Sequence, residues 1–310
     1  MHLFHPLTIG NARVSNRIAM TAMRSGHASA DGFMNDELCA YYGERAKGGV
    51  GLVVLEPVHV TAPETARPHL GLYDDVLIPS FRQCVSILHQ HDTRVLVMLD
   101  QVMPVADATA DELRVLADTW VAAATRVHAT GADGLMLSCA DGGPFDQLIS
   151  RTTNHRSDMY GGNNNGRTQL LLKVIEDITK RLGKRLIIGV RLNVGESQTG
   201  GLSLQDARVI AKRLAGAGVR LLEIGCETDS DTPLARFPGW CVPLAAAIKA
   251  VVDVPIMVGG LLADPELADS VIADGSADLV ALGESLRAEP RWPHYAQSVL
   301  FDQENENEPQ

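Results

Sequence analysis

The sequence predicts an α/β protein folded as a single (β/α)8 TIM barrel. Short apolar runs alternate with amphipathic helical stretches along the whole chain, the pattern of repeated parallel crossovers. Hydrophobic residues make up 45% of the 310 residues but aromatic ones only 5%, the Ala, Val, Leu and Ile diet of a parallel sheet covered on both faces. Eight strand runs can be counted, enough to close one barrel with none left for a second domain. The expected division is a barrel over 1–300 and a polar, frayed tail, FDQENENEPQ, over 301–310.

The eight runs are Arg17–Met23, Val50–Glu56, Arg94–Gln101, Gly134–Cys139, Arg185–Asn193, Leu221–Cys226, Pro255–Gly260 and Leu279–Glu284. Before the first lies LFHPLTIGNARVSNR, expected to form a short hairpin over the barrel bottom. The helices between have legible starts and stops: Asn35 to Lys47 closed by Gly48-Gly49, Thr109 to Thr130 by Gly131, Ser203 to Ala217 by Gly218, Asp264 to Asp274 by Gly275. A doubly wound open sheet would want a glycine-rich phosphate turn after the first strand, and RSGHASADG does not fit G-x-G-x-x-G.

A formal net charge of −11 excludes an electrostatic grip on nucleic acid or on an anionic membrane. The opening MHLFHPLTIG has no basic region followed by an apolar core, and no apolar run approaches the ~20 residues of a membrane span; a cytoplasmic protein is the expectation. Five scattered cysteines with no C-x-x-C pair point to reduced thiols rather than a disulfide framework or a metal site. Of these, Cys139 and Cys226 fall at strand ends, where a thiol beside a cation would be reactive and one among apolar groups would simply pack. His89, His91 and His128 fall on helical stretches and read as solvated, and Trp240 and Trp292 as loop and helix anchors.

The stretch 131–162, GADGLMLSCADGGPFDQLISRTTNHRSDMYGG, passes from an apolar strand to a long polar loop, which is how a barrel presents an active site. Here, and in LFHPLTIGNARVSNRIAM, YYGERAKGGVGLVVLE, VPIMVGG and ADLVALG with AEPRWP, the chain resembles the Old Yellow Enzyme group of FMN-dependent oxidoreductases. The wording is most similar to the 2,4-dienoyl-CoA reductase, trimethylamine dehydrogenase and N-methylproline demethylase branch. That branch usually adds a cysteine-ligated iron–sulfur cluster and a second nucleotide-binding domain; this sequence has no cysteine set for one.

The resemblance implies FMN at the C-terminal mouth of the barrel, with NAD(P)H as a candidate electron donor. Gln101 matches the glutamine at the flavin pyrimidine edge and Arg191 the arginine near N1 and O2, where a fixed cation would favour the anionic reduced ring. Ala22 and Met23 would lie against the ring, and Gly259, Gly260 and Gly283 would offer backbone N–H groups to the phosphate.

The sequence also departs from that pattern. The two side chains that usually read a substrate carbonyl fall at Ser138 and Asp141, and the usual proton-donor tyrosine at Gly143. An ionised carboxylate donates no hydrogen bond, so ordinary enone activation is not expected. Pro104, Ala106 and Asp107 replace a His, Gly and Arg, and a capping excursion is missing, so the mouth should be open. The residue that commonly tunes the flavin carbonyl falls at Arg24, and a Gly-Arg reads Gly283-Glu284, whose carboxylate would repel a phosphate unless Arg24, Arg287 or Arg236 compensates.

Three readings stay open. The first is a divergent FMN oxidoreductase acting on an enone, enoyl or methylated amine substrate, its acidic mouth formed by Asp141 with Asp107, Asp146 and Glu56. The second is a non-redox isomerase or lyase with Asp141 as base and Arg24 or His27 as electrophilic partner. The third is a catalytically silent barrel serving as a partner subunit of an active relative. A small-molecule substrate and a homo-oligomer are expected throughout.

Overall fold

The computed structural model describes residues 1–64, 67–101, 103–105, 107–196, 198–225 and 237–307. In chain order the strands are β1 (Leu7–Ile9), β2 (Ala12–Val14), β3 (Ile18–Met20), β4 (Leu52–His59), β5 (Leu70–Gly71), β6 (Arg94–Asp100), β7 (Gly134–Cys139), β8 (Ile187–Asn193), β9 (Leu221–Gly225), β10 (Ile256–Val258) and β11 (Leu279–Leu282). The helices are α1 (Asp36–Lys47), α2 (Ile78–His89), α3 (Ala110–Thr130), α4 (Pro144–Ile149), α5 (Asn164–Arg167), α6 (Gln169–Leu182), α7 (Leu204–Ala217), α8 (Val242–Lys249), α9 (Pro265–Ala273), α10 (Glu284–Ala288) and α11 (Trp292–Asn307).

Eight parallel strands run β3-β11-β10-β9-β8-β7-β6-β4, and pairing of Ala19 with Leu52 and Met20 with Val53 joins the ends into a closed barrel. Each expected run holds a strand, and several are shorter than their apolar run. The backbone of the first leaves the ladder after Met20, and that of the seventh after Val258, to build the mouth. The short strand β5, paired to β4 through Val58 and Leu70, adds a rim that the sequence pattern did not signal.

Alternation of side chains across each strand sorts the apolar residues into two cores. Leu52, Val54, Leu96, Met98, Met136, Ile187, Leu221, Met257 and Leu279 fill the barrel interior. The opposite parity packs against the helices, where Trp120 and Phe145 meet at 4.6 Å. The β1–β2 hairpin adds Ile9, Ala12 and Val14 to the inner cluster, closing the barrel bottom as its position in the sequence suggested.

Helix ends follow the sequence cues. Thr109 and Glu112 form a reciprocal capping box at α3, as do Ser203 and Asp206 at α7, and Gly131 (φ 86°) and Gly218 (φ 110°) end the same helices in the left-handed region. Trp292 anchors α11 by donating its indole N–H to the Ala263 carbonyl. The boundary expected at 300 does not break the backbone: α11 continues to Asn307, because nothing in YAQSVLFDQENEN stops a helix.

Among the described residues no helix is long and apolar enough to cross a membrane, and no group of three or more His, Cys, Asp or Glu side chains could hold a metal ion.

Candidate active site

Continuing the interior parity of each strand to its C-terminal end places six side chains in one ring at the mouth. They are Thr21, Glu56, Asp100, Ser138, Arg191 and Glu223, and the register pairs Ser138 with Arg191 and Arg191 with Glu223 across three adjacent strands. The adjacent strands β10 and β11 have Gly259 and Gly283 at the corresponding positions. Two neighbouring strands thus end in backbone rather than side chain, and protein atoms pack closely on both glycines. A Cβ on Gly283 would lie 3.1 Å from the Met23 sulfur and 3.3 Å from Thr21 Cγ2, and one on Gly259 would lie 3.2 Å from the Ala281 carbonyl oxygen. Gly260 follows with φ +104°, a conformation that favours glycine, and packs closely on Trp240 and Cys241.

Arg191 is at the centre of the ring. Its Nη2 donates to Thr21 Oγ1 (2.6 Å), the Ala22 carbonyl (3.0 Å) and Glu223 Oε1 (3.0 Å), while Nη1 reaches only the exposed Asp141 carboxylate, at 3.5 Å. Thr21 donates its hydroxyl to the same Glu223 oxygen, and Glu223 Oε2 is buried with no hydrogen-bond partner among the described residues. Burial by itself disfavours the guanidinium charge, but the Glu223 and Asp141 carboxylates together more than offset this and raise its pKa. The sequence suggested a fixed cation at 191; in the structure that arginine is paired with a buried acid.

Asp100 is 92% buried, and burial pushes its carboxyl above the usual range despite the bond it accepts from the Gln101 N–H. A Cβ on Gly143 would come within 2.8 Å of Asp100 Oδ1, so the carboxylate lies close against the glycine. Gln101 is buried, its side-chain oxygen accepting from the Thr61 N–H at 3.3 Å.

Asp141 stands out into the mouth at φ 58°, its side chain 73% exposed, in a turn fastened by the Gly142 N–H to Asp146 (2.9 Å). Asp146 also accepts from Asn193 of β8. Ser138 is buried, its hydroxyl turned back to the Ala140 carbonyl. Arg24 is exposed with no hydrogen-bond or ion-pair partner among the described residues, and its charge acts on His59 and Asp100.

Other sequence candidates resolve locally. Glu56 accepts from the Ser25 N–H and the Tyr42 hydroxyl. His27 is engaged by Glu37 at 2.6 Å. Glu284 is exposed and meets Arg287 on its own helix. Cys139 is buried, and burial raises its thiol well above the ordinary value, so it packs as a small apolar group. Cys226, Arg236 and Ala106 lie outside the described residues.

Sequence reading missed Thr21, Asp100, Glu223 and His59. Both ring nitrogens of His59 are buried without a partner, and burial, then the neighbouring His69 and Arg24, lowers its pKa to about 4. The available signal for the first three was the two-residue alternation itself, carried one step past the apolar part of each strand.

A closed parallel barrel with polar or charged side chains at the C-terminal ends of six strands and glycines at the other two is an α/β barrel whose candidate site is its C-terminal mouth. The NADH:flavin oxidoreductase / NADH oxidase family model matches residues 2–108 and 101–303, and the chain belongs to that family. It is 32% identical over 328 residues to the NADH oxidase of Thermoanaerobacter brockii, covering 95% of this chain and 50% of that protein. It is 27% identical to the N,N-dimethylglycine/sarcosine dehydrogenase of Chromohalobacter salexigens, covering 97% and 48%. The old yellow enzyme homologue of Zymomonas mobilis superposes with a TM-score of 0.81 at 22% identity, covering 95% of this chain and 92% of that one. The chain thus spans about half the length of the first two relatives.

The residues present fit a flavin. Gly259 and Gly283 put no side chain between the backbone and the mouth, and Arg191 Nη1 retains donor capacity toward it.

Proposed function

We propose that this chain is an FMN-dependent oxidoreductase acting on a small organic substrate in an open, acidic barrel mouth, the substrate itself being the electron donor to the flavin where it is an amine. The observation that carries the reading is the Arg191 guanidinium, fixed through Nη2 and presenting Nη1 to the mouth. When bound, FMN supplies the two-electron exchange. Gln101 and Arg191 hold its pyrimidine edge, Ala22 and Met23 bear on the ring, and Gly259, Gly260 and Gly283 donate backbone N–H groups to its phosphate.

Ser138 spends its hydroxyl on the Ala140 carbonyl, which leaves Asp141 and Arg24 to meet the substrate. Carboxylates at 100 and 141 attract a cation and accept a proton, and they offer no hydrogen bond to an oxyanion while ionised. A methylated amine therefore suits this mouth better than an enone, and the similarity to a dimethylglycine/sarcosine dehydrogenase supports the same choice.

The visible spectrum of the purified protein tests the flavin reading. A yellow protein that releases FMN on denaturation, or a colourless one that binds added FMN, is expected; a colourless protein that takes up none overturns it. For the substrate class, Asp141→Asn should raise KM for a methylated amine several-fold more than for a neutral enone. Equal effects on both would reject the amine assignment.

A further inference from the structure

Glu223 has no role in the reading above, yet it is a buried acid of the mouth ring with one carboxylate oxygen unpartnered among the described residues. It is 95% buried, and its other oxygen takes the bonds from Arg191 and Thr21. Burying a carboxylate there costs several kcal/mol unless something compensates it, and the compensating group is the arginine itself. Two consequences follow from the geometry. Nη2 is tied down by Thr21, Ala22 and Glu223, so the guanidinium plane is fixed with Nη1 outward. The charge that Nη1 presents is also largely cancelled, because Glu223 Oε1 is 3.0 Å away inside the protein, where screening by water is weak.

Resting on the flavin reading, we propose that Glu223 is a positioning and charge-balancing residue, which makes the Arg191 guanidinium a directed hydrogen-bond donor to the ring edge rather than a net positive charge. Negative charge gained by the ring on reduction is then stabilised less than beside an unpaired arginine, and the bound flavin is poised as a stronger reductant. The acidic residues Asp100 and Asp141 around the same guanidinium act in the same direction.

The test is spectroelectrochemical titration of the FMN-loaded wild type, Glu223→Gln and Glu223→Asp, with FMN affinity measured alongside. Removing the negative charge in Glu223→Gln should favour the reduced over the oxidised flavin at least tenfold, read as a positive shift of about 30 mV or more for a two-electron couple. Glu223→Asp keeps the charge and should stay near the wild-type potential. A merely structural Glu223 would leave the potential of both variants unmoved while lowering stability. Should Glu223→Gln not fold, Glu223→Ser removes the same charge, leaves room for water, and carries the same expectation. An unchanged potential in a charge-removing variant that still binds FMN overturns the role of Glu223 and leaves the flavin reading intact. A wild type that binds no FMN overturns both.

Discussion

Replacing Arg191 with methionine tests the central ion pair through stability alone. Arg191 and Glu223 approach to 3.0 Å with side chains 12% and 6% exposed. Two charges about 4 Å apart attract by about 4 kcal/mol at the effective dielectric of a protein site, while desolvating each costs several kcal/mol. The net worth of the pair is therefore small, but Arg191→Met leaves Glu223 with Thr21 as its remaining donor. That substitution should cost about 3–5 kcal/mol. The double variant Arg191→Met/Glu223→Gln removes both charges and should be more stable than the Arg191→Met single variant by about 2 kcal/mol or more. Urea denaturation of the four proteins at neutral pH, followed by far-UV circular dichroism, measures the cycle. A single-variant loss below about 1 kcal/mol, or a double variant that loses the sum of the two singles, would refute the compensation argument.

At the barrel bottom, Asp133 accepts from His89 and the Val95 N–H, both at 2.8 Å, and pairs with Arg94. Burial alone would raise its carboxyl, but these partners outweigh burial and hold it below the ordinary 3.8. A folded-state value below the unfolded one stabilises above the unfolded pKa and is lost as pH falls through the folded one, so Asp133→Asn should destabilise at pH 7, by about 1–3 kcal/mol, and make little difference in denaturation near pH 2. Asp100 has the opposite sign: its raised carboxyl favours folding below the unfolded pKa and loses that contribution as pH rises. Asp100→Asn should therefore raise the melting temperature at pH 7 while lowering turnover, and a stabilised variant with full turnover would remove Asp100 from the site. A methyl group at Gly48 would fall 1.9 Å from the Pro290 carbonyl oxygen, backbone that cannot rotate away. Gly48→Ala should cost about 2 kcal/mol or more, seen as a lower urea midpoint, and a variant as stable as wild type would show that the α1 terminus can shift.

Local rules made the architecture legible. Strand runs, the capping pairs Thr109–Glu112 and Ser203–Asp206, and the closing glycines depend on residues within a few positions of one another, and the structure returns them nearly where the sequence put them. The strand-end positions of Gln101 and Arg191 were legible for the same reason. By contrast, the acid that holds Arg191 is 32 residues further along and the hydroxyl is on the first barrel strand. Only barrel closure and register bring Thr21, Arg191 and Glu223 into one layer. Ser138 was visible as a position, but the direction of its hydroxyl is a rotamer decided by packing.

The sequence by itself determined an eight-fold α/β repeat, because side-chain periodicity and helix caps are properties of short segments. Tertiary structure alone decided that the mouth arginine is charge-compensated and that the Asp100 carboxylate lies against Gly143. Each of these depends on distances between strands far apart in the chain, and burial there turns a nearby carboxylate from a solvated surface charge into the partner that sets the chemistry of its neighbours.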